Sequence, residues 1–123
     1  MDDPTFYFRH VENIRNVMVQ YGMGDKPIWL TEFGWAAAEN VTSNPAPGYE
    51  YAWQNSEAEQ AAYLVRAYEK ARTEYQPWLG AMFVGNLNFA TCFSPHHEKS
   101  AFGVLRPDGS RGPAYDALVN MPK

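Results

Sequence analysis

Pro27-Ile28-Trp29-Leu30-Thr31-Glu32-Phe33-Gly34-Trp35 decides how this chain reads. Ile28 to Phe33 has the β-branched and aromatic content of a strand and a single charge, Glu32. Strict alternation along that strand puts Glu32 on one face with Leu30 and Ile28, and Trp29, Thr31 and Phe33 on the other. A carboxylate capping an apolar column costs free energy unless it is paired or hydrogen-bonded, so its presence points to a task. A partly solvated strand-end glutamate with no such task is the plain alternative.

Upstream, Asp3 before Pro4 offers an N-cap acceptor and a proline at the first helical position. Phe6, Tyr7, His10, Val11, Ile14, Val17, Met18 and Tyr21 recur at helical spacing, predicting a helix that ends at Gly22 and Gly24. Downstream, residues 34–55 form a long loop with Pro45, Pro47 and Gly48 among Tyr49, Tyr51 and Trp53. Loops of that length usually have a function. Ser56-Glu57-Ala58-Glu59 is a capping box that opens a helix burying Leu64, Ala67, Tyr68, Ala71 and Tyr75 and ending at Pro77. Gly80 to Leu87 carries no charge and reads as a strand covered on both faces.

Strand, crossover with helix, strand is a βαβ unit, so the class is α/β with two parallel, adjacent strands. A polar loop from Thr91 to Ser100, an apolar piece at Phe102 to Leu105, a turn at Pro107-Asp108-Gly109 and a short helix from Pro113 holding Tyr115, Leu118 and Val119 complete the chain. No repeat or linker divides it, so residues 1–123 are expected to form one unit.

Ten basic residues against fourteen acidic ones give a formal charge of −4, with no Lys/Arg run to track a phosphate backbone. Nucleic acid is therefore not an expected partner. The longest apolar stretch, near Leu79 to Leu87, falls short of the roughly 20 residues that cross a membrane. The single cysteine, Cys92, leaves the redox compartment open and lacks an obvious base for a nucleophilic role. Adjacent His96 and His97 beside Glu98 point apart on most backbones, so no metal and no cofactor are expected. His10, on the helix stripe, reads as a packing residue. Asn40-Val41-Thr42 is a glycan acceptor only in a secreted eukaryotic protein.

The run from Pro27 to Trp35 resembles the seventh-strand nucleophile segment of the retaining (β/α)8 glycoside hydrolases of clan A, above all the cellulase-like and family 39-like members that act on bacterial and plant polysaccharides. Phe6-Tyr7-Phe8 with Met18 and Tyr21-Gly22 resembles the helix before that strand. Gly80 to Asn88 resembles the eighth strand, and Phe102 to Leu105 with Pro113-Ala114-Tyr115 resembles the closing segment and last helix.

The resemblance implies a partial (β/α)8 barrel, from about the sixth helix through the eighth. In it Glu32 is the catalytic nucleophile, forming a glycosyl-enzyme intermediate that water hydrolyses. It implies a second carboxyl roughly 5–5.5 Å away as acid and base. In the family that residue follows an asparagine, and no Asn-Glu dipeptide occurs here. The acid/base and the first six strands are thus expected outside these residues. Met1-Asp2-Asp3-Pro4, which does not read as a secretory leader, is accordingly expected to be an internal start. The resemblance is compatible with a parent enzyme that is secreted or held at the cell surface, while the residues themselves leave its location open.

Trp35, Tyr51, Trp53 and Asn86 are the candidate sugar-binding residues; the loop aromatics equally suit packing against their own helix. Relatives commonly carry a tryptophan floor under the sugar where Gly85 stands here. A glycine there fits close backbone approach or replacement by a loop aromatic such as Trp53. Two other classes compete. A non-catalytic carbohydrate-binding or assembly module would use the same aromatic loop, while a nucleotide-binding domain lacks its glycine-rich phosphate turn after either strand. Two open strand edges and the apolar side chains of Trp29, Phe33, Met82, Phe83 and Val84 predict self-association.

Overall fold

The computed structural model describes residues 7–40, 47–94 and 97–122. Helix α1, His10–Gln20, leads to strand β1, Ile28–Phe33; helix α2, Glu57–Glu74, leads to strand β2, Leu79–Val84; helix α3, Pro113–Asn120, closes the chain. β1 and β2 pair in parallel as a two-stranded sheet. The architecture is mixed α/β, as the βαβ pattern predicts.

Local chemistry accounts for α2. Ser56 Oγ accepts from the Glu59 amide while the Glu59 carboxylate accepts from the Ser56 amide at 2.8 Å. A cap of this kind contributes about 1 kcal/mol. Ala61, Leu64, Ala67 and Ala71 form its buried stripe and Tyr75 follows at its end. Leu64, Ala61, Val104 and Ala114 gather Phe33 and Val84 around them; Ala71, Tyr75, Leu79 and Val11 gather Ile28, Leu30 and Met82. One face of the sheet thus rests on α2.

The other face is open at Trp29 and Phe83. Trp29 is 63% and Phe83 52% exposed, which corrects the expectation that the second strand is covered on both faces. The register explains which residues point where. From Leu30 to Phe33 β1 advances three residues while β2 advances two, Met82 to Val84. The extra residue is a bulge, and it turns both Thr31 and Glu32 outward and returns Phe33 to the helix side. Strict alternation is therefore wrong at Glu32: it faces away from Ile28 and Leu30.

α1 also departs from its predicted form. It begins at His10, with Tyr7 outside it and exposed, and Asp3, Pro4 and Phe6 lie outside the described residues. Val11 is its only buried residue, while Ile14, Val17 and Tyr21 are largely exposed. Polar contacts turn the helix off its apolar stripe. Glu12 bonds the Tyr75 hydroxyl, and the Arg15 guanidinium lies 5.6 Å from the Trp78 ring while donating to the carbonyls of Gly24 and Lys26. His10 is exposed beside Asn13, so it is not the packing residue its position suggests. Gly22, at φ 74°, ends the helix as read.

Two short 3-10 turns, Ala38–Asn40 and Glu50–Trp53, interrupt the long loop. Ala36, Ala52 and Ala101 pack together under Tyr51 and Phe102, which folds the loop over the C-terminal ends of the strands. Beyond β2, the amides of Val104 and Leu105 donate to the carbonyls of Asn86 and Leu87, and Arg106 to Gly109 makes the expected turn with Gly109 at φ 83°.

Candidate functional site

Glu32 stands at the C-terminal end of β1 directly against Gly85, one residue beyond β2. The Gly85 amide donates to the Phe33 carbonyl at 2.8 Å, extending the parallel pairing. A β-carbon at Gly85 would lie 2.4 Å from Glu32 Cγ and 2.8 Å from Oε1. One at Gly34 would lie 2.7 Å from the Gly85 carbonyl oxygen. Gly34 and Gly85 together let the strand ends close and leave the space that Glu32 fills. Of the two readings of Gly85, close approach is the one observed; the neighbour that needs the space is the carboxylate. The Gly85–Asn86 peptide is cis.

Two cavities meet at Glu32. The larger, about 650 Å³, is lined by Glu32, Gly85, Tyr7, Phe8, Phe33, Trp35, Tyr51, Asn55, Tyr63 and Phe102 with the backbone of Gly34 and Ala36. The smaller, about 280 Å³, is lined by Glu32, Phe89, Phe93, Lys99 and Phe102. Glu32 and Phe102 form the partition between them. Among the described residues Glu32 is the only Asp or Glu lining either space. An isolated carboxylate among aromatic faces can accept hydroxyl protons, balance a developing positive charge or attack an electrophilic carbon.

The structure brings Trp35 and Tyr51 to Glu32 and leaves Trp53 and Asn86 aside. Trp35 packs at 5.9 Å from the Phe8 ring and 5.7 Å from Tyr63, so it both lines the larger cavity and holds its wall. Tyr51 meets the Tyr49 ring at a tilt and the Phe102 ring edge-on. Burial, then the charges of Tyr49 and Glu98, keep its phenol above the ordinary 10.0, so it stays a neutral hydroxyl. Trp53, 47% exposed, lies outside both cavities. Asn86 is 7% exposed, lines neither cavity, and neither atom of its side-chain amide has a hydrogen-bond partner.

Gln60 escaped the sequence reading. It is 1% exposed, and its Nε2 donates to the carbonyl oxygens of Trp35 at 2.8 Å, Gly103 at 3.3 Å and Ala101 at 3.4 Å. One amide from α2 thereby ties the end of β1 to the segment that carries Phe102. Asn55 works alike, donating to the Ala36 carbonyl at 3.2 Å. Glu57 grips Arg106 through two bonds of 2.8 and 2.7 Å, fastening the start of α2 to the closing turn. A polar residue one turn into an apolar helix stripe was the available signal for Gln60; nothing local marked its acceptors.

Lys99 is the other addition. His97, whose Nδ1 accepts from the Lys99 amide at 3.2 Å, caps the turn Glu98–Phe102 that places the ammonium beside the smaller cavity. Among the described residues no three His, Cys, Asp or Glu side chains gather as metal ligands, and no helix is long and apolar enough to cross a membrane. His96 and the Val41-Thr42 part of the acceptor sequon lie outside the described residues, and Asn40 is buried. Cys92 is exposed. Comparison with protein-family models, with curated proteins and with solved structures gave no match.

Proposed function

We propose that these residues form the nucleophile-bearing C-terminal part of a retaining (β/α)8 glycoside hydrolase that cleaves O-glycosyl bonds of a polysaccharide or oligosaccharide. On this reading β1 and β2 are the seventh and eighth barrel strands. The supporting observation is the setting of Glu32: at the C-terminal end of a parallel strand, turned by a bulge onto the uncovered sheet face, and walled by aromatic rings that suit a pyranose.

In the mechanism Glu32 attacks the anomeric carbon and the glycosidic oxygen leaves with the bonding electron pair, taking a proton from a carboxylic acid on the other side. That second group, now a carboxylate, removes a proton from water as the water oxygen attacks the same carbon and frees Glu32. Among the described residues Glu32 has no such partner in either cavity, and the sequence holds no Asn-Glu dipeptide, so the reading places the acid/base on polypeptide outside these residues. Gly85 in place of a side chain gives the nucleophile its room.

A 2-deoxy-2-fluoro glycoside with a dinitrophenolate leaving group tests this, because so good a leaving group departs without a proton donor and the fluorine slows release of the ester. Peptide mass spectrometry should find the fluorosugar on Glu32, and none on a Glu32→Gln chain. A panel of gluco, xylo and manno reagents that leaves Glu32 unlabelled overturns the nucleophile assignment.

That no second carboxylate lines the cavities among the described residues also favours a second reading, a non-catalytic carbohydrate-binding or assembly module. Oligosaccharide binding that involves Trp35 and Tyr51, with no labelling of Glu32, would select it.

A further inference from the structure

The smaller cavity sets a negative and a positive group around one aromatic space. Glu32 lies on its wall and Lys99 on another, and among the described residues every other lining side chain is a phenylalanine. Lys99 Nζ sits 4.9 Å from the centre of the Phe93 ring. No carboxylate among the described residues comes within ion-pair distance of it, Glu32 included. Glu98, the adjacent acid, faces His97 instead, at 3.3 Å. The two charges therefore border the cavity without closing on each other, and the space between them is large enough for a substituent of a sugar ring.

The larger cavity differs in kind. Its polar groups are tyrosine hydroxyls and the Asn55 amide, and Glu32 is its one charged residue. Neutral hydroxyls suit that side. The smaller side offers an ammonium whose charge is unpaired, on a flexible stem, beside three ring faces.

We infer that the smaller cavity takes an anionic substituent, a carboxylate or a sulfate group, of the sugar unit bound next to Glu32, and that Lys99 is the residue that reads it. The inference rests on the carbohydrate reading given above. A ligand spanning the cavity donates a hydroxyl proton to the Glu32 carboxylate at one end and accepts from the Lys99 ammonium at the other. The phenylalanines hold the apolar face of the ring between. A neutral sugar satisfies only the Glu32 end and leaves Lys99 in water. Lys99 stays partly solvated, so the preference is modest, about tenfold, and weakens as salt screens the pair.

The test is a titration of the 123-residue chain, followed by amide chemical shifts, with a neutral xylo-oligosaccharide, the same oligosaccharide bearing glucuronic acid, and a sulfated one, each at low and high salt. The expected result is about tenfold tighter binding of at least one anionic sugar at low salt, equivalent to about 1.4 kcal/mol. Lys99→Met should abolish the preference, and Lys99→Arg should keep it. Comparison of the two charged sugars identifies carboxylate or sulfate as the source.

Equal binding of neutral and charged sugars overturns the inference and leaves the carbohydrate reading standing, as does a preference that survives Lys99→Met. Inorganic sulfate that binds as well as the sulfated sugar also overturns it, since the site is then a simple anion site. If no sugar binds at all, the carbohydrate reading fails and the inference falls with it.

Discussion

Gly85 and Glu32 occupy one another's space: the position of a β-carbon on the glycine lies 2.4 Å from the glutamate Cγ. Gly85→Ala therefore forces Glu32 into another rotamer. The group that yields is a side chain, so the stability loss should stay under about 1.5 kcal/mol. Gly34→Ala instead meets the Gly85 carbonyl oxygen at 2.7 Å and must part the strand ends, costing about 1–3 kcal/mol. Urea unfolding of the two variants should show that order, and Gly85→Ala alone should lose fluorosugar labelling of Glu32 while folding nearly as the parent.

Turnover of ordinary glycosides should be absent. One carboxylate lines both cavities, and a positioned general acid contributes on the order of 10²–10⁴-fold to such a reaction. Soluble β-glucan, xylan and simple aryl glycosides should release no more sugar with the chain than with its Glu32→Ala variant. Turnover that this substitution abolishes would mean that a further carboxyl, from Glu39, Glu50, Glu98 or a second copy, reaches Glu32.

Gln60 should matter more than any exposed residue of α2. Gln60→Leu keeps the size and removes the donor that Trp35, Ala101 and Gly103 share. The Ala101 carbonyl keeps the Ala37 amide at 2.9 Å, but the Trp35 and Gly103 carbonyls lose their donor, at about 1–3 kcal/mol for a buried carbonyl left unpaired, so the urea midpoint should fall accordingly. Tryptophan emission should shift as the Trp35 end of β1 loosens. An unchanged midpoint would show that the Trp35 and Gly103 carbonyls find other donors.

Alkali should unfold the chain through its tyrosines. Burial first, and then the bond to Glu12, raise the Tyr75 phenol well above the ordinary 10.0. Burial raises Tyr68 and Tyr51 in the same direction. In each case the folded state holds the proton more tightly than the unfolded one. Their contribution is complete below the unfolded value of 10.0 and is lost as pH rises toward the raised folded values. Stability measured in urea should accordingly be flat up to about pH 9 and fall above it, more steeply for the parent than for Tyr75→Phe. On the acid side Glu12, held below the ordinary carboxylate value by its bond to Arg9 and then by Tyr75, stabilises above that value and loses the effect as pH drops through its lowered one.

Self-association should follow from the bare sheet face. Trp29 and Phe83 stand exposed on it, and two paired strands leave an open edge on each side. Light scattering at micromolar concentration should report a dimer or larger species, and Trp29→Lys with Phe83→Glu should shift it toward monomer. A monomer mass that holds on concentration would show that the face is tolerated in water.

Much of this protein is local, and the local part was legible. The capping box at Ser56, the strand limits Ile28 to Phe33, the glycine stop at Gly22, the turn at Gly109 and the proline start of α3 all follow from single-residue backbone chemistry acting within a few positions. So does the parallel pairing, since a crossover of this length that contains a helix joins parallel strands. Position also singled out Glu32, as a lone charge at a strand end.

Where Glu32 points was a tertiary decision. Period-two alternation turns it toward Ile28 and Leu30; pairing with β2 inserts a bulge and turns it outward, because register is set by two strands together. The same holds for α1, which Glu12 and Arg15 rotate onto Tyr75 and Trp78, and for Gln60, whose three acceptors are 25 to 43 residues away in sequence. Lys99 and Glu32 border one cavity only because Phe102 brings distant segments together there. The amino-acid order determined the elements and singled out Glu32; contacts between distant segments determined its direction, its room and its neighbours, since none of these is a property of one stretch of chain.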